Sequence, residues 1–203
     1  MSITGIFLVL FLLFHSIMNF VAILSPAGYD AICEFLGANW YALIGTLGLA
    51  FLLLVHFVYA FILSIQNYRA RGTQRYAVVE RQEGVDWASK NMLVLGFIVI
   101  GFLLLHLYNF WFKMQTGPFS PTDGAAYVKE LFSNPVYCVL YLIWLTAIWF
   151  HLTHGIWSAL QSLGLSSNIW LPRIKCIGNA VATLIVLMFA FVVVFFCVSS
   201  LIA

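Results

Sequence analysis

Charge is scarce in this chain. Only 8% of its 203 residues are Asp, Glu, Lys or Arg, whereas 64% are hydrophobic and mean hydropathy is +1.02. That balance cannot coat a water-soluble globule and places the chain in a membrane. The formal net charge of +2 offers no basic surface for nucleic acid. Cysteine is also sparse. Cys33, Cys138, Cys176 and Cys197 show no C-x-x-C spacing, which argues against a disulfide framework, a zinc or iron–sulfur site and C-x-x-C-H haem attachment. They read instead as small buried hydrophobes. No phosphate-cradling glycine loop, flavin motif or nucleophile elbow is present, so any chemistry lies within the membrane or comes from a partner.

What the chain has is long apolar runs. A hydrocarbon core of roughly 30 Å needs about 20 apolar residues per helix. Five stretches reach that length, at about residues 3–24, 39–64, 91–112, 135–163 and 177–201. They are continuously apolar rather than alternating, which excludes barrel strands. The expected fold is an all-α integral membrane protein, one transmembrane domain over residues 1–203. The first run lacks the basic n-region and small-residue cleavage site of a signal peptide and is expected to be retained.

Basic residues set the expected orientation. Arg69, Arg71, Arg75, Arg81 and Lys90 follow the second span and Arg173 and Lys175 the fourth, while the other two connections hold only Lys113 and Lys129. Positive charge favours the cytoplasmic side, so the N-terminus is expected inside and the C-terminus outside. Residues 67–90, with Gly72 and Gly84, read as a cytoplasmic connector, and Asp86 or Ser89 as a cap for the third helix. Residues 113–134 read as an external loop with Pro118, Pro121 and Gly124 as turn residues.

Against this apolar background the histidines stand out. His15, His56, His106 and His151 occur one per span, with His154 one turn after the last. An imidazole in such a span is costly and marks a cofactor or a proton path. An internal repeat relates them. Thr4-Gly5 through His15 can be laid on Leu95-Gly96 through His106, with Asn19-Phe20 and Asn109-Phe110 close behind. His56 stands ten residues before Gln66, and His151 ten before Gln161. At about 1.5 Å per residue, His15 and His106 share an outer level and His56 and His151 an inner one. Two pairs at two depths match what bis-histidine ligation of two b-type haems requires, because haem iron takes axial imidazoles from opposite faces. Gly45, Gly48, Gly96 and Gly101 would let a flat macrocycle approach the backbone. A lone membrane histidine can simply hydrogen-bond to a neighbouring helix. Four that pair by depth within a repeat, with no Asp, Glu, Lys or Arg beside them for a proton relay, favour haem. The repeat offset to glutamine selects His151 over His154.

The chain resembles, over essentially all its length, the di-haem cytochrome b membrane anchor of succinate:quinone oxidoreductases (succinate dehydrogenase and quinol:fumarate reductase) in its single-chain, five-helix form. The resemblance rests on histidine spacings of 41, 50 and 45 and on the segment Phe150-His151-Leu152-Thr153-His154-Gly155-Ile156-Trp157-Ser158-Ala159-Leu160-Gln161-Ser162-Leu163-Gly164. It implies five helices enclosing two haems b, an inner one on His56 and His151 and an outer one on His15 and His106. Ser2, His154 and Gln161 are then expected near haem propionates, although relatives carry a polar, basic stretch before the first helix where this chain enters its first span at Ser2. It further implies a bacterial cytoplasmic membrane, flavoprotein and iron–sulfur subunits on the cytoplasmic side, and menaquinone or ubiquinone as substrate, with a dimer of the whole complex possible. Glu34 is the expected quinone proton acceptor and Asp30 its nearest rival. No dicarboxylate site is expected in this chain. The alternatives are the cytochrome b anchor of another quinone-linked dehydrogenase, such as a formate dehydrogenase or hydrogenase, and a haem-free transporter.

Overall fold

The computed structural model describes residues 1–38, 40–71, 87–116 and 123–202. Among these the regular secondary structure is all helix, with no strand. Five helices are long and apolar enough to cross a membrane: α1 (Ser2–Leu24), α3 (Trp40–Arg71), α5 (Met92–His106) with its continuation, α8 (Pro135–Ser162) and α9 (Leu171–Ile202). Shorter helices lie between them: α2 (Pro26–Ala38), α4 (Trp87–Lys90), α6 (Lys113–Thr116) and α7 (Gly124–Phe132). Phe7, Leu43, Leu47, Leu104, Leu187 and many other large apolar side chains are exposed. A surface of that kind is stable against lipid tails, and the chain has the build of a multi-pass membrane protein.

The span boundaries differ from expectation in two places. α3 continues beyond Ser64 to Arg71, and α9 begins at Leu171 rather than Ile177. Hydropathy reports where lipid contact ends. A helix supplies its own backbone hydrogen bonds and can run on into water, and Pro172 is tolerated because it sits in the first turn. The third span also changes register. Directly after His106 the backbone becomes π-helical over Leu107–Phe112, a local widening found most often at functional sites.

The expected outer loops contain helices. α2 starts on Pro26, whose fixed φ suits the first helical position, and Ser25 Oγ accepts the Gly28 N–H at 3.1 Å. Asp30 and Glu34 therefore lie on a helix rather than in a loop. Gly124, expected in a turn, opens α7, which buries Gly124, Ala125, Tyr127, Val128, Leu131 and Phe132. That spacing is an apolar helical face. Pro118, Pro121, Gly72, Gly84, Arg75, Arg81 and Asp86 lie outside the described residues. Ser89 lies inside α4, and the residue at the cap position of α5 is Asn91, whose side chain donates to the Trp87 carbonyl at 2.9 Å.

The core lies where α8 and α9 pack along each other and against α1, with α5 on the other side of α8. α2 and α7 cover one end. Asp30 Oδ1 accepts the Ala125 N–H at 2.7 Å, so a carboxylate on α2 caps the first turn of α7, while Asp123 at the cap position makes no side-chain cap bond. This capped end joins Ala22, Tyr29, Val128, Phe132, Cys138 and Phe196 into the main cluster. α3 packs least: none of the residues in its most apolar window is buried, against 39% for α8. The cysteines only partly follow expectation, since Cys138 is buried but Cys176 is exposed on α9.

Candidate functional site

The fold brings the four span histidines together in two pairs. His15 on α1 and His106 on α5 have ring centroids 6.0 Å apart, and His56 on α3 and His151 on α8 have theirs 6.5 Å apart. Both pairs cross between helices distant in sequence. They also lie at different levels. His56 reaches Thr4 at the start of α1, whereas His15 is eleven residues further along that helix toward the capped end, about 16 Å at the rise of an α-helix.

An aromatic box surrounds the pair nearer the capped end. Phe11 stacks on His15 at 5.2 Å and Phe189 approaches it at 5.5 Å; Phe110, Trp144 and Tyr141 surround His106 at 5.0, 5.4 and 6.2 Å. Trp144 is itself anchored, donating from Nε1 to the Val99 carbonyl at 3.1 Å. Polar groups line the capped side of the box. Asn19 Nδ2 donates to the His15 carbonyl at 2.8 Å and lies 3.3 Å from the ring Nδ1, and Tyr29 O–H donates to Asn19 Oδ1 at 3.4 Å. Asn109, fully buried in the π-helical turn, donates to Tyr141 Oη at 3.4 Å and accepts the Tyr127 O–H on its carbonyl.

The other pair is held differently. Thr4 Oγ1 lies 3.1 Å from His56 Nδ1, and a Cβ placed on Gly5 would stand 3.4 Å from His56 Cε1, so Thr4-Gly5 forms the seat of this imidazole. His154 stands edge-on to Trp157 at 4.8 Å. Ser2 opens α1 at the same end, and Gln161 is exposed near the end of α8. Lys175 lies over the Trp157 ring at 4.2 Å and Arg173 over Trp170 at 5.0 Å, so the basic residues of this end sit among interfacial aromatics.

The donor set can be tested against possible metals. Among the described residues no three His, Cys, Asp or Glu converge, so two imidazoles are too few for a zinc-type site. A haem brings four nitrogens of its own and asks the protein for two. With metal–imidazole bonds of about 2 Å, two rings on one iron hold their centroids about 6 Å apart, and both observed separations are close to that. His106 Nδ1 and His151 Nδ1 are buried without a hydrogen-bond partner, a cost that ligation through Nε2 would leave in place. A Cβ on Gly45, Gly48, Gly96 or Gly101 would meet nothing within 4 Å, which leaves the backbone approachable there. The residues present fit a bis-histidine haem at each level.

Glu34 is exposed on α2. An apolar cleft of about 300 Å³ runs between α1 and α2, lined by Phe14, Met18, Ala31, Ile32, Phe35 and Leu36, and Glu34 is not among its lining residues. Asp30 is engaged with α7 through Ala125. Sequence reasoning missed Thr4, the π-helical turn and the aromatic box; the one available signal was the Thr-Gly step that opens the repeat.

No family model, curated protein or solved structure matches this chain.

Proposed function

We propose that this chain is the membrane-anchor cytochrome b subunit of a succinate:quinone oxidoreductase, passing electrons between an iron–sulfur subunit and membrane quinone. His56 with His151 would hold an inner haem b, and His15 with His106 an outer one. The observation that carries this reading is the pair of cross-helix imidazole contacts at 6.5 and 6.0 Å, on two levels of one bundle. Bound haem supplies one-electron redox chemistry at a potential set by its axial ligands and surroundings. The chain's own residues do the rest. The apolar helices keep water away, and the aromatic box fixes the orientation of His15 and His106.

The flavoprotein and iron–sulfur subunits are assigned to the open end, opposite α2 and α7, where Arg69, Lys90, Arg173 and Lys175 make that side cytoplasmic in a bacterial membrane. The capped end is then external and takes the quinone. The cleft between α1 and α2 suits an isoprenoid chain, and the Glu34 carboxylate can accept a proton from a quinol O–H as the quinol is oxidised. Asp30, already capping α7, is the weaker candidate for that role.

The test is a pyridine haemochrome assay of the purified full-length chain with identification of co-purifying subunits. Two haems b per chain together with a flavoprotein and an iron–sulfur protein are expected. One haem or none overturns the cofactor assignment. Partners from a formate dehydrogenase or hydrogenase overturn the succinate assignment while leaving the cytochrome in place.

A further inference from the structure

Thr4 Oγ1 makes a hydrogen bond to a span histidine that crosses between helices, and its second contact, to the Met1 carbonyl, favours one tautomer of that imidazole. The hydroxyl has a single hydrogen. It is 2.8 Å from the Met1 carbonyl, which can only accept, and 3.1 Å from His56 Nδ1. With its hydrogen given to the carbonyl, Thr4 Oγ1 faces the imidazole as an acceptor, so Nδ1 carries the proton. In a neutral ring this leaves the lone pair on Nε2, the nitrogen then free to bind a metal. Thr4 is 9% exposed and Gly5 seats the half-buried ring beside it.

We propose that Thr4 is the positioning residue of the inner site, fixing His56 as the Nδ1–H tautomer and strengthening it as an axial ligand. The proposal rests on the haem reading above and goes beyond it by distinguishing the two ligands of one site. The internal repeat sharpens the point. Leu95 occupies the position equivalent to Thr4, is 4% exposed and packs against Ala147, one turn before His151. His151 Nδ1 is buried with no partner. The two halves of the repeat thus present a hydroxyl to one axial imidazole and a leucine at the corresponding position of the other half. A hydrogen-bonded Nδ1–H makes an imidazole more basic and favours ferric over ferrous iron, which lowers the potential.

The experiment compares the purified full-length chain with Thr4→Val, which keeps the shape and removes the hydroxyl, and Thr4→Ser, which restores it. Haem content, potentiometric titration of the reduced b-type band and electron paramagnetic resonance of the low-spin ferric haems are recorded. The component missing in His151→Ala defines the inner haem. Thr4→Val is expected to weaken the ferric preference of that haem roughly tenfold, an upward shift of about 59 mV for one electron, and to move its resonance. Thr4→Ser should stay near the wild type, and the outer haem should not respond. Loss of the inner haem from Thr4→Val alone also supports the proposal. An unchanged potential and spectrum in Thr4→Val, or an equal change in Thr4→Ser, overturns it while leaving the haem reading intact. A wild-type chain without haem overturns both.

Discussion

Around His15 and His106 the chain has built a wall: five aromatic rings within 6.2 Å, a buried Asn109 and a lid of two further helices. Around His56 and His151 it has built much less, a Thr-Gly seat on one side and a helix, α3, whose most apolar window buries none of its residues. The imidazole separations are nevertheless alike, at 6.0 and 6.5 Å. The separations are alike across unlike surroundings, so the spacing of each pair does not follow from how densely its surroundings are packed. Lipid gives helices no hydrophobic reason to associate, so close packing and interhelical hydrogen bonds must hold them. The capped pair has both in quantity; at the other pair Thr4 of α1 bonds His56 of α3, and Trp149 beside His151 donates to Thr183 of α9 at 2.9 Å.

The largest expected effects break one pair and spare the other. His151→Ala should remove the inner haem and halve the haem content, and His106→Ala should do the same for the outer haem. His154→Ala should leave both haems bound, because the ring paired with His56 is that of His151 and the His154 ring stands edge-on to Trp157. A pyridine haemochrome assay with redox-difference spectra checks all three. Equal loss in His151→Ala and His154→Ala would refute the ligand assignment.

The next effect is confined to the capped end. Glu34→Gln keeps size and polarity but removes a base, so quinone-linked turnover should fall by roughly two orders of magnitude, the usual cost of losing a general base. Haem content and succinate oxidation with a soluble artificial acceptor should stay normal in the assembled complex. Unchanged quinone-linked turnover would remove Glu34 from the site and bring Asp30 forward.

The smallest effect is on stability. Asp30→Ala removes the cap from α7 and should cost about 1 to 2 kcal/mol, seen as a lower melting temperature and as earlier thermal loss of the outer haem's band than of the inner's. Asp30→Asn keeps the acceptor and should be milder. Equal sensitivity of the two bands would mean that the lid does not belong to the outer pair alone.

Much of this architecture was legible in the residues themselves. Apolar runs of membrane length, the histidine in each of four of them and the glycine, histidine and glutamine offsets of the repeat are one-dimensional patterns, and each led to the span or pairing that the fold displays. Three things were not legible. The outer connections look like loops because they are short and carry proline and glycine, yet the apolar face of residues 124–132 repeats at helical spacing and could have been found. The π-helical turn after His106 has no sequence signal, since any apolar run admits either register. Thr4 reads as one small polar residue in a membrane helix and gains meaning only from His56, 52 residues away.

The sequence by itself determined that the chain is helical, that it enters lipid, and which imidazoles share a level, because burial of backbone polar groups and the 1.5 Å rise are local properties. Only the tertiary structure decided which face each histidine turns, that Asp30 caps α7 from another helix, and that one imidazole of each level is differently supported from its partner. Those outcomes depend on how helices rotate and approach one another, and rotation in lipid is set by side-chain contacts between segments far apart in the chain rather than by any periodicity within one.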